Sequence, residues 1–125
     1  MNALNKQVAG NHYKDQKIQP IQLAYMLGQT PAFCKVAKYA TRIKDDPVQQ
    51  LKKALHCIEL DEELKDFQHL YCKVGLDFAE DMIREFTESY YLRACLLAMH
   101  AEDYTSAIYY MSEMIEVEVG KKEDI

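Results

Sequence analysis

The chain has 125 residues, a net charge of −5 at pH 7, and 49% hydrophobic and 28% charged residues. This length and composition favour one folded domain with a real core and argue against extensive disorder. Four glycines and three prolines are few for a turn-rich all-β fold. No window approaches the roughly 18 apolar residues of a membrane span, and the polar N-terminus lacks the apolar core of a signal peptide. We therefore expect a cytoplasmic protein that does not enter a membrane.

The first part of the sequence predicts a polar arm followed by two helices. Residues 1–17 show no hydrophobic periodicity and are assigned to the arm. Residues 20–27 form a short apolar helix that a glycine closes. A threonine-proline pair then opens a second helix, with the threonine as N-cap and the proline in the first turn, and this helix is expected to run to about Ile43.

Asp46-Pro47 predicts the start of a third, long helix, because the aspartate can cap it and a glutamine follows three residues later. An apolar stripe runs from Val48 to Ile58, and a second stripe with the same spacing runs from Leu60 to Val74. The phase slips between the two stripes. The helix is therefore expected either to pack two different faces along its length or to break near Asp61.

The second half predicts two further helices that form a hairpin. Gly75 is expected to end the long helix and Asp77 to cap the next, which should be most buried between residues 90 and 99. A short acidic turn leads to a last helix over residues 104–119, and residues 120–125 are expected to fray.

These elements together predict an all-α fold, an antiparallel bundle of four to five helices with a C-terminal hairpin, because no segment alternates as a strand does. The bundle is expected to be a single domain of uneven charge. Residues 1–60 hold nine basic and four acidic residues, whereas residues 61–125 hold six and sixteen. The chain thus divides into a basic module over residues 18–60 and an acidic helical extension over residues 61–119.

The cysteines and the carboxylates are the side chains of this sequence most suited to metal binding. Four widely spaced cysteines without a CxxC pair predict reduced core thiols rather than a zinc or redox site; they are Cys34, Cys57, Cys72 and Cys95. Two predicted helices each present carboxylates at spacings of three and four, as all-α nucleotide pyrophosphohydrolases do to hold Mg²⁺. These carboxylates are Glu59, Glu62, Glu63 and Asp66 on one helix and Glu80, Asp81, Glu85 and Glu88 on the other. A solvated acidic face explains them more simply, so no metal site is predicted.

Positive charges lie beside rings in the basic half, which suggests a phosphorylated or nucleobase-bearing ligand. On spacing alone, a solvated helix face is the more frequent explanation of such charges. The chain has no P-loop and no dinucleotide-binding glycine motif, so side chains would have to hold a phosphate. Lys38 and Arg42, four residues apart on one helix, suit that role. Tyr13 or Tyr39 would stack on the base. His12 or His56 would orient or protonate the ligand. The candidate residues are His12, Tyr13, Lys14, Lys38, Tyr39, Arg42, Lys52, Lys53 and His56.

An ordered series of short motifs spans about residues 11–60: His12-Tyr13-Lys14, Ile18-Gln19-Pro20-Ile21, Phe33 before Lys38-Tyr39 and Arg42, and Leu51-Lys52-Lys53-Ala54. This series resembles the SaV-like family of small bacteriophage proteins. The chain departs from the family pattern at Cys34-Lys35, where the family has Gly-Asn, at Gln50, where it has Asp, and at Cys57, where it has an aromatic residue.

The resemblance implies a phage protein that binds a nucleotide in the cytoplasm of the infected host. One branch of the family phosphorylates deoxynucleoside monophosphates as a large oligomer. The resemblance therefore also implies a nucleotide kinase, a nucleoside triphosphate donor and a homo-oligomer. The alternative is a non-catalytic protein that sequesters a nucleotide, or that binds a host defence protein through its acidic C-terminal hairpin. A third alternative, mimicry of nucleic acid by the acidic half, ranks below these, since the acidic excess is modest for it. Nucleic acid is not expected as a partner.

Overall fold

The computed structural model describes residues 17–42, 46–67 and 73–123, with side chains as far as residue 121. No strand occurs in these ranges, so the predicted all-α class is confirmed. None of the helices there combines the length and apolar composition needed to cross a membrane. The α-helices are α1 (Pro20–Leu27), α2 (Pro31–Thr41), α3 (Pro47–Leu64), α4 (Leu76–Phe86), α5 (Tyr90–His100) and α6 (Tyr104–Glu123), and a 3₁₀ turn (Lys65–Phe67) follows α3.

Side-chain caps define where three of these helices begin. Thr30, Asp46 and Ser89 each accept a hydrogen bond from the backbone N–H three residues further on, at 3.1, 3.3 and 3.2 Å. Each cap satisfies one of the amide donors that the first turn of a helix leaves without a partner. At the other end of α1, Gly28 adopts the left-handed conformation, with φ of 68°. The predicted starts at Thr30 and Asp46 and the predicted stop at Gly28 are confirmed.

The core lies where α3 packs between α2 and α6. The α5–α6 hairpin forms as predicted, while α1 packs against α2 and α4, and α4 packs against α5. Every helix contributes fully buried apolar side chains, the largest being Phe33, Leu23, Leu27, Ile58, Ile83, Leu92, Leu96, Met99 and Met111. Burial of such side chains is the main favourable term in folding, at about 1.5–3 kcal/mol each.

The prediction that a second apolar stripe packs along the long helix is wrong. α3 ends at Leu64, and both Leu64 and Phe67 are exposed. The helix ends three residues after Asp61, so the predicted break near Asp61 is confirmed, and it turns no new face toward the core before that point. Its buried face instead continues in the phase of the first stripe, at intervals of three and four residues, through Leu51, Ala54, Ile58 and Asp61. The apparent slip arises because a carboxylate occupies the next core-facing position.

Three predicted boundaries in the second half are also wrong. Gly75 is the N-cap of α4 rather than the end of the preceding helix, so Asp77 lies in the first turn, where its charge suits the helix dipole. The single helix predicted from Asp77 onward is two helices, separated by three residues that end at the Ser89 cap. α6 continues through residues 120–123, and Lys121 pairs there with Glu118 at 3.1 Å, one turn earlier.

The buried carboxylate of Asp61 is held by two hydroxyl groups from other helices. Its side chain is 3% exposed. Thr30 Oγ1 donates a hydrogen bond to Oδ1 at 2.6 Å, and the Tyr104 hydroxyl donates to Oδ2 at 3.1 Å. A buried carboxylate without donors is costly, because it loses its hydration. The two hydrogen bonds therefore tie the start of α2, the end of α3 and the start of α6 together.

A second buried hydrogen-bond chain adjoins the first. The Gln29 amide nitrogen lies 2.8 Å from His100 Nδ1, and His100 Nε2 lies 2.7 Å from the Val74 carbonyl oxygen. Since a carbonyl only accepts, we assign the ring proton to Nε2, which leaves Nδ1 as the acceptor for Gln29. The Gln29 side-chain oxygen in turn accepts from the Thr30 backbone N–H at 3.2 Å. The two chains meet at the connection between α1 and α2.

The Tyr104 hydroxyl is expected to contribute to stability through Asp61. Replacing Tyr104 by Phe leaves one oxygen of a buried carboxylate without its donor. The free energy of unfolding, measured by urea denaturation, should fall by about 1.5–3 kcal/mol, the scale for a hydrogen bond to a charged group. Tyr109→Phe is the matched control, since it removes the hydroxyl of an exposed tyrosine on the same helix. Equal losses in the two variants would contradict this role.

Tyr104 should also make stability depend on alkaline pH. Burial, followed by the nearby charge of Asp61, raises the pKa of Tyr104 above its ordinary value of 10.0. The fold therefore favours the neutral phenol. Its contribution is complete below pH 10 and is lost as the pH rises from there toward the folded-state pKa. Between about pH 9 and pH 11, the urea midpoint of the unmodified protein should fall more steeply than that of Tyr104→Phe; parallel curves would exclude this linkage.

Candidate functional site

Two lysines from different helices converge on one tyrosine ring where α2 packs against α3. Lys38 Nζ lies 6.0 Å and Lys53 Nζ lies 5.8 Å from the centroid of the Tyr39 ring. Both distances are within the range of a cation–π contact. Lys53 follows Tyr39 by fourteen residues, so this contact depends on the packing of the two helices. We call Lys38, Tyr39 and Lys53 the basic cluster.

The lysines of the basic cluster have no acidic counterpart in the part of the chain that the structure describes. The ion pairs found there involve Lys17, His56, Lys73, Arg84 and Lys121, and none involves Lys38 or Lys53. Lys35 and Lys52, which flank the cluster on the same two helices, also form no such pair. In a protein of net charge −5, this leaves a local concentration of positive charge that an anion would neutralise.

Arg42 lies four residues after Lys38, just beyond the last turn of α2. Its Nε atom is buried and has no hydrogen-bond partner, and the same holds for the side-chain oxygen of Gln50, which is buried on α3. Buried polar groups are normally satisfied, because each one left without a partner costs free energy. Arg42 Nε is therefore an unsatisfied donor and Gln50 Oε1 an unsatisfied acceptor. Each lies three residues along the chain from a member of the basic cluster.

The other predicted residues are placed differently. Lys52 is exposed beside Lys53 but makes no contact with the tyrosine ring. The His56 side chain is also exposed, and its Nδ1 atom lies 3.9 Å from a carboxylate oxygen of Glu59. Tyr39 is half-buried against the core, and its ring contacts two ammonium groups. The predicted residues 12–14 lie outside the described ranges.

A groove between α1 and α2 adjoins the basic cluster and was not predicted. Its volume is about 640 Å³, and Lys38 belongs to both the groove and the cluster. Tyr25 is 83% exposed on the α1 side. Four residues earlier, Ile21 is also exposed, and both are out of phase with the buried leucines of α1. The apolar pair Ile21 and Tyr25, out of phase with those leucines, is the feature of the sequence that could have indicated the groove. The lining residues are Ile21, Ala24, Tyr25, Gly28, Gln29, Thr30, Pro31, Cys34, Lys35 and Lys38.

The described cysteines are free thiols, but only two of them belong to the core. Cys57 and Cys95 are buried, and burial raises the pKa of Cys95 to about 12. Cys34 is half-buried and lines the groove. Burial raises the pKa of its thiol, and the positive charges of Lys38 and Lys35 partly offset that effect. Cys72 lies outside the described ranges.

The carboxylates considered for Mg²⁺ do not converge. Among the residues that the structure describes, no three side chains of His, Cys, Asp or Glu are grouped so that they could hold a metal ion. Comparison with protein-family models, curated proteins and solved structures finds no match for this chain. The resemblance to the SaV-like family stays a prediction.

Proposed function

We propose that this protein binds a nucleotide and that Lys38 and Lys53 hold its phosphate beside Tyr39. The observation that carries the proposal is the convergence of two ammonium groups, without acidic partners among the described residues, on one ring. Gathering like charges costs free energy, and a doubly charged phosphate at that point would offset the cost. Residues from two packed helices form the cluster, so its spacing is set by the core and not by a loop.

Arg42 is the proposed second contact to the phosphate. A guanidinium can grip a phosphate with two parallel hydrogen bonds, and the buried Nε atom of Arg42 has no partner. Phosphoryl transfer, phage origin, cytoplasmic location and a homo-oligomer are supported by the family resemblance alone. The contacts described here support neutralisation of charge, which phosphoryl transfer needs. His56 lies three residues after Lys53 on α3, but the contact its side chain makes is with Glu59, at 3.9 Å. Nucleotide binding is therefore the proposed function. A nucleotide kinase activity would require this binding and is supported only by the family resemblance.

Two adjacent lysines on α3 provide a matched test of the phosphate site. Lys53→Ala should weaken the binding of a mixture of the four deoxynucleoside 5′-monophosphates about tenfold in titration calorimetry, because a charged contact is worth about 1.5 kcal/mol or more. Lys52→Ala removes the same charge from the same helix without removing a contact to the ring, so its effect should stay below about threefold. Arg42→Ala should match Lys53→Ala.

Equal losses at the two lysines would indicate only a diffuse charge effect and would overturn the assigned site. Absence of binding by the unmodified protein, at ligand concentrations up to about 5 mM, would overturn the proposed function itself. A Kd of about 5 mM corresponds to only about 3 kcal/mol of binding free energy. The titration would therefore detect even weak binding.

A second candidate function is the recognition of another protein through the α5–α6 hairpin. Tyr90 is 70% exposed and Tyr109 is 57% exposed. They form an edge-to-face cluster with Tyr91 and Tyr110, with ring centroids 5.3 to 6.5 Å apart. Tyrosine is enriched at the centres of protein interfaces, because it offers a rigid, amphipathic surface at a low entropic cost. The cluster supports the alternative in which the acidic hairpin contacts a host protein.

The tyrosine cluster should be needed for any such partner. In affinity capture from host extract with identification by mass spectrometry, the double variant Tyr90→Ala, Tyr109→Ala should lose a partner that the unmodified protein retains. Tyr25→Ala is the control, since it removes an equally exposed tyrosine from a different helix. If the double variant and the control capture the same proteins, the cluster is not a contact surface.

A further inference from the structure

The groove between α1 and α2 is lined by two polar side chains, Gln29 and Thr30, that are hydrogen-bonded to the interior of the protein. Thr30 Oγ1 donates to Asp61 and accepts from the Phe33 backbone N–H. The side-chain nitrogen of Gln29 is bonded to His100, and its oxygen accepts from the Thr30 N–H. These hydrogen bonds hold both side chains against the interior and use part of their hydrogen-bonding capacity. The remainder of the lining is mostly apolar surface and the two lysines.

The charge of the groove is restricted to one helix. Lys35 and Lys38 on α2 are the charged residues of the lining, and neither forms an ion pair with a described carboxylate. Lys38 also contacts the Tyr39 ring, so the positive end of the groove continues into the basic cluster. A ligand that fits has an anionic end at Lys38 and an apolar body that extends away from it.

The exposed Tyr25 ring indicates the shape of that apolar body. A tyrosine face that is open to solvent favours a planar partner, because stacking buries both faces and leaves the phenol hydroxyl hydrated. The volume of about 640 Å³ lies within the range of small-molecule pockets, which is roughly 300–1,000 Å³. A small anion with a planar ring therefore fits the positive charge at Lys38, the exposed Tyr25 face and the volume of the groove.

We infer that the α1–α2 groove receives the base of the bound nucleotide, with the ring against Tyr25 and Ile21, next to Cys34, while Lys38 links it to the phosphate. This inference rests on the proposed function and deepens it. It assigns base contact to Tyr25 in place of Tyr39. It also places Cys34 and Lys35, two of the residues that depart from the family pattern, inside the proposed binding site.

Cys34 makes the groove directly observable, because a bound base would cover its half-buried thiol. Iodoacetamide labelling of the full chain, followed by peptide mass spectrometry, should show at least a fivefold slower modification of Cys34 in saturating deoxynucleoside 5′-monophosphates. Inorganic phosphate at the same concentration should change the rate less than twofold. The buried Cys95 serves as the internal reference for unfolding, since it should stay unlabelled throughout.

A pair of tyrosine variants separates the base from the phosphate. Tyr25→Ala should weaken monophosphate binding about tenfold in calorimetry and leave the binding of inorganic phosphate unchanged, whereas Tyr109→Ala should alter neither. If monophosphates bind with the Lys53 dependence proposed above but neither protect Cys34 nor respond to Tyr25→Ala, the groove assignment is overturned and the proposed function stands. If inorganic phosphate protects Cys34 as well as a monophosphate does, the assignment of a ring to the groove is overturned. If no monophosphate binds, both proposals are overturned.

Discussion

The buried carboxylate of Asp61 is the constraint on which the rest of this structure depends. At 3% exposure it has lost its hydration, and the Thr30 and Tyr104 hydroxyl groups replace that hydration with two hydrogen bonds. Any packing of α2, α3 and α6 that separates these three groups leaves a charge buried without donors. Because Thr30 also caps α2, the same interaction determines where that helix begins, and therefore where Cys34, Lys35 and Lys38 are presented.

The same network determines the chemistry of the groove beside it. Gln29 and Thr30 lie in the lining, but their side chains are bonded to His100 and Asp61 in the interior. Polar residues that a sequence would suggest as ligand contacts thus serve the fold. The rest of the groove is mostly apolar, with positive charge on the α2 side. The proposed base site rests on these two features, so the hydrogen bonds that stabilise the core also shape the groove.

The basic cluster keeps positive charge unpaired in a protein that is acidic as a whole. Ion pairs occur elsewhere, for example between Lys121 and Glu118, so acidic partners for lysines are not scarce. The Tyr39 ring offsets part of the repulsion between Lys38 and Lys53 without neutralising either one, since a cation–π contact leaves the charge in place. Such an arrangement leaves both ammonium groups charged and without a described carboxylate beside them.

Local rules were enough for the all-α class, the starts of α2 and α3, the glycine stop of α1 and the position of the last hairpin, because caps and hydrophobic periodicity act within a few residues. The sequence alone also placed Lys38 and Tyr39 on one helix. Local rules failed where distant residues decide the outcome. Asp61 interrupts the apolar pattern, yet it is buried because Thr30 and Tyr104 come to it from other helices. Lys53 reaches the Tyr39 ring, and Tyr25 faces the groove beside Lys38, only because three helices pack together. Tertiary structure therefore decided which of the predicted cations converge on one ring, since contacts between helices do not follow from spacing along any one of them.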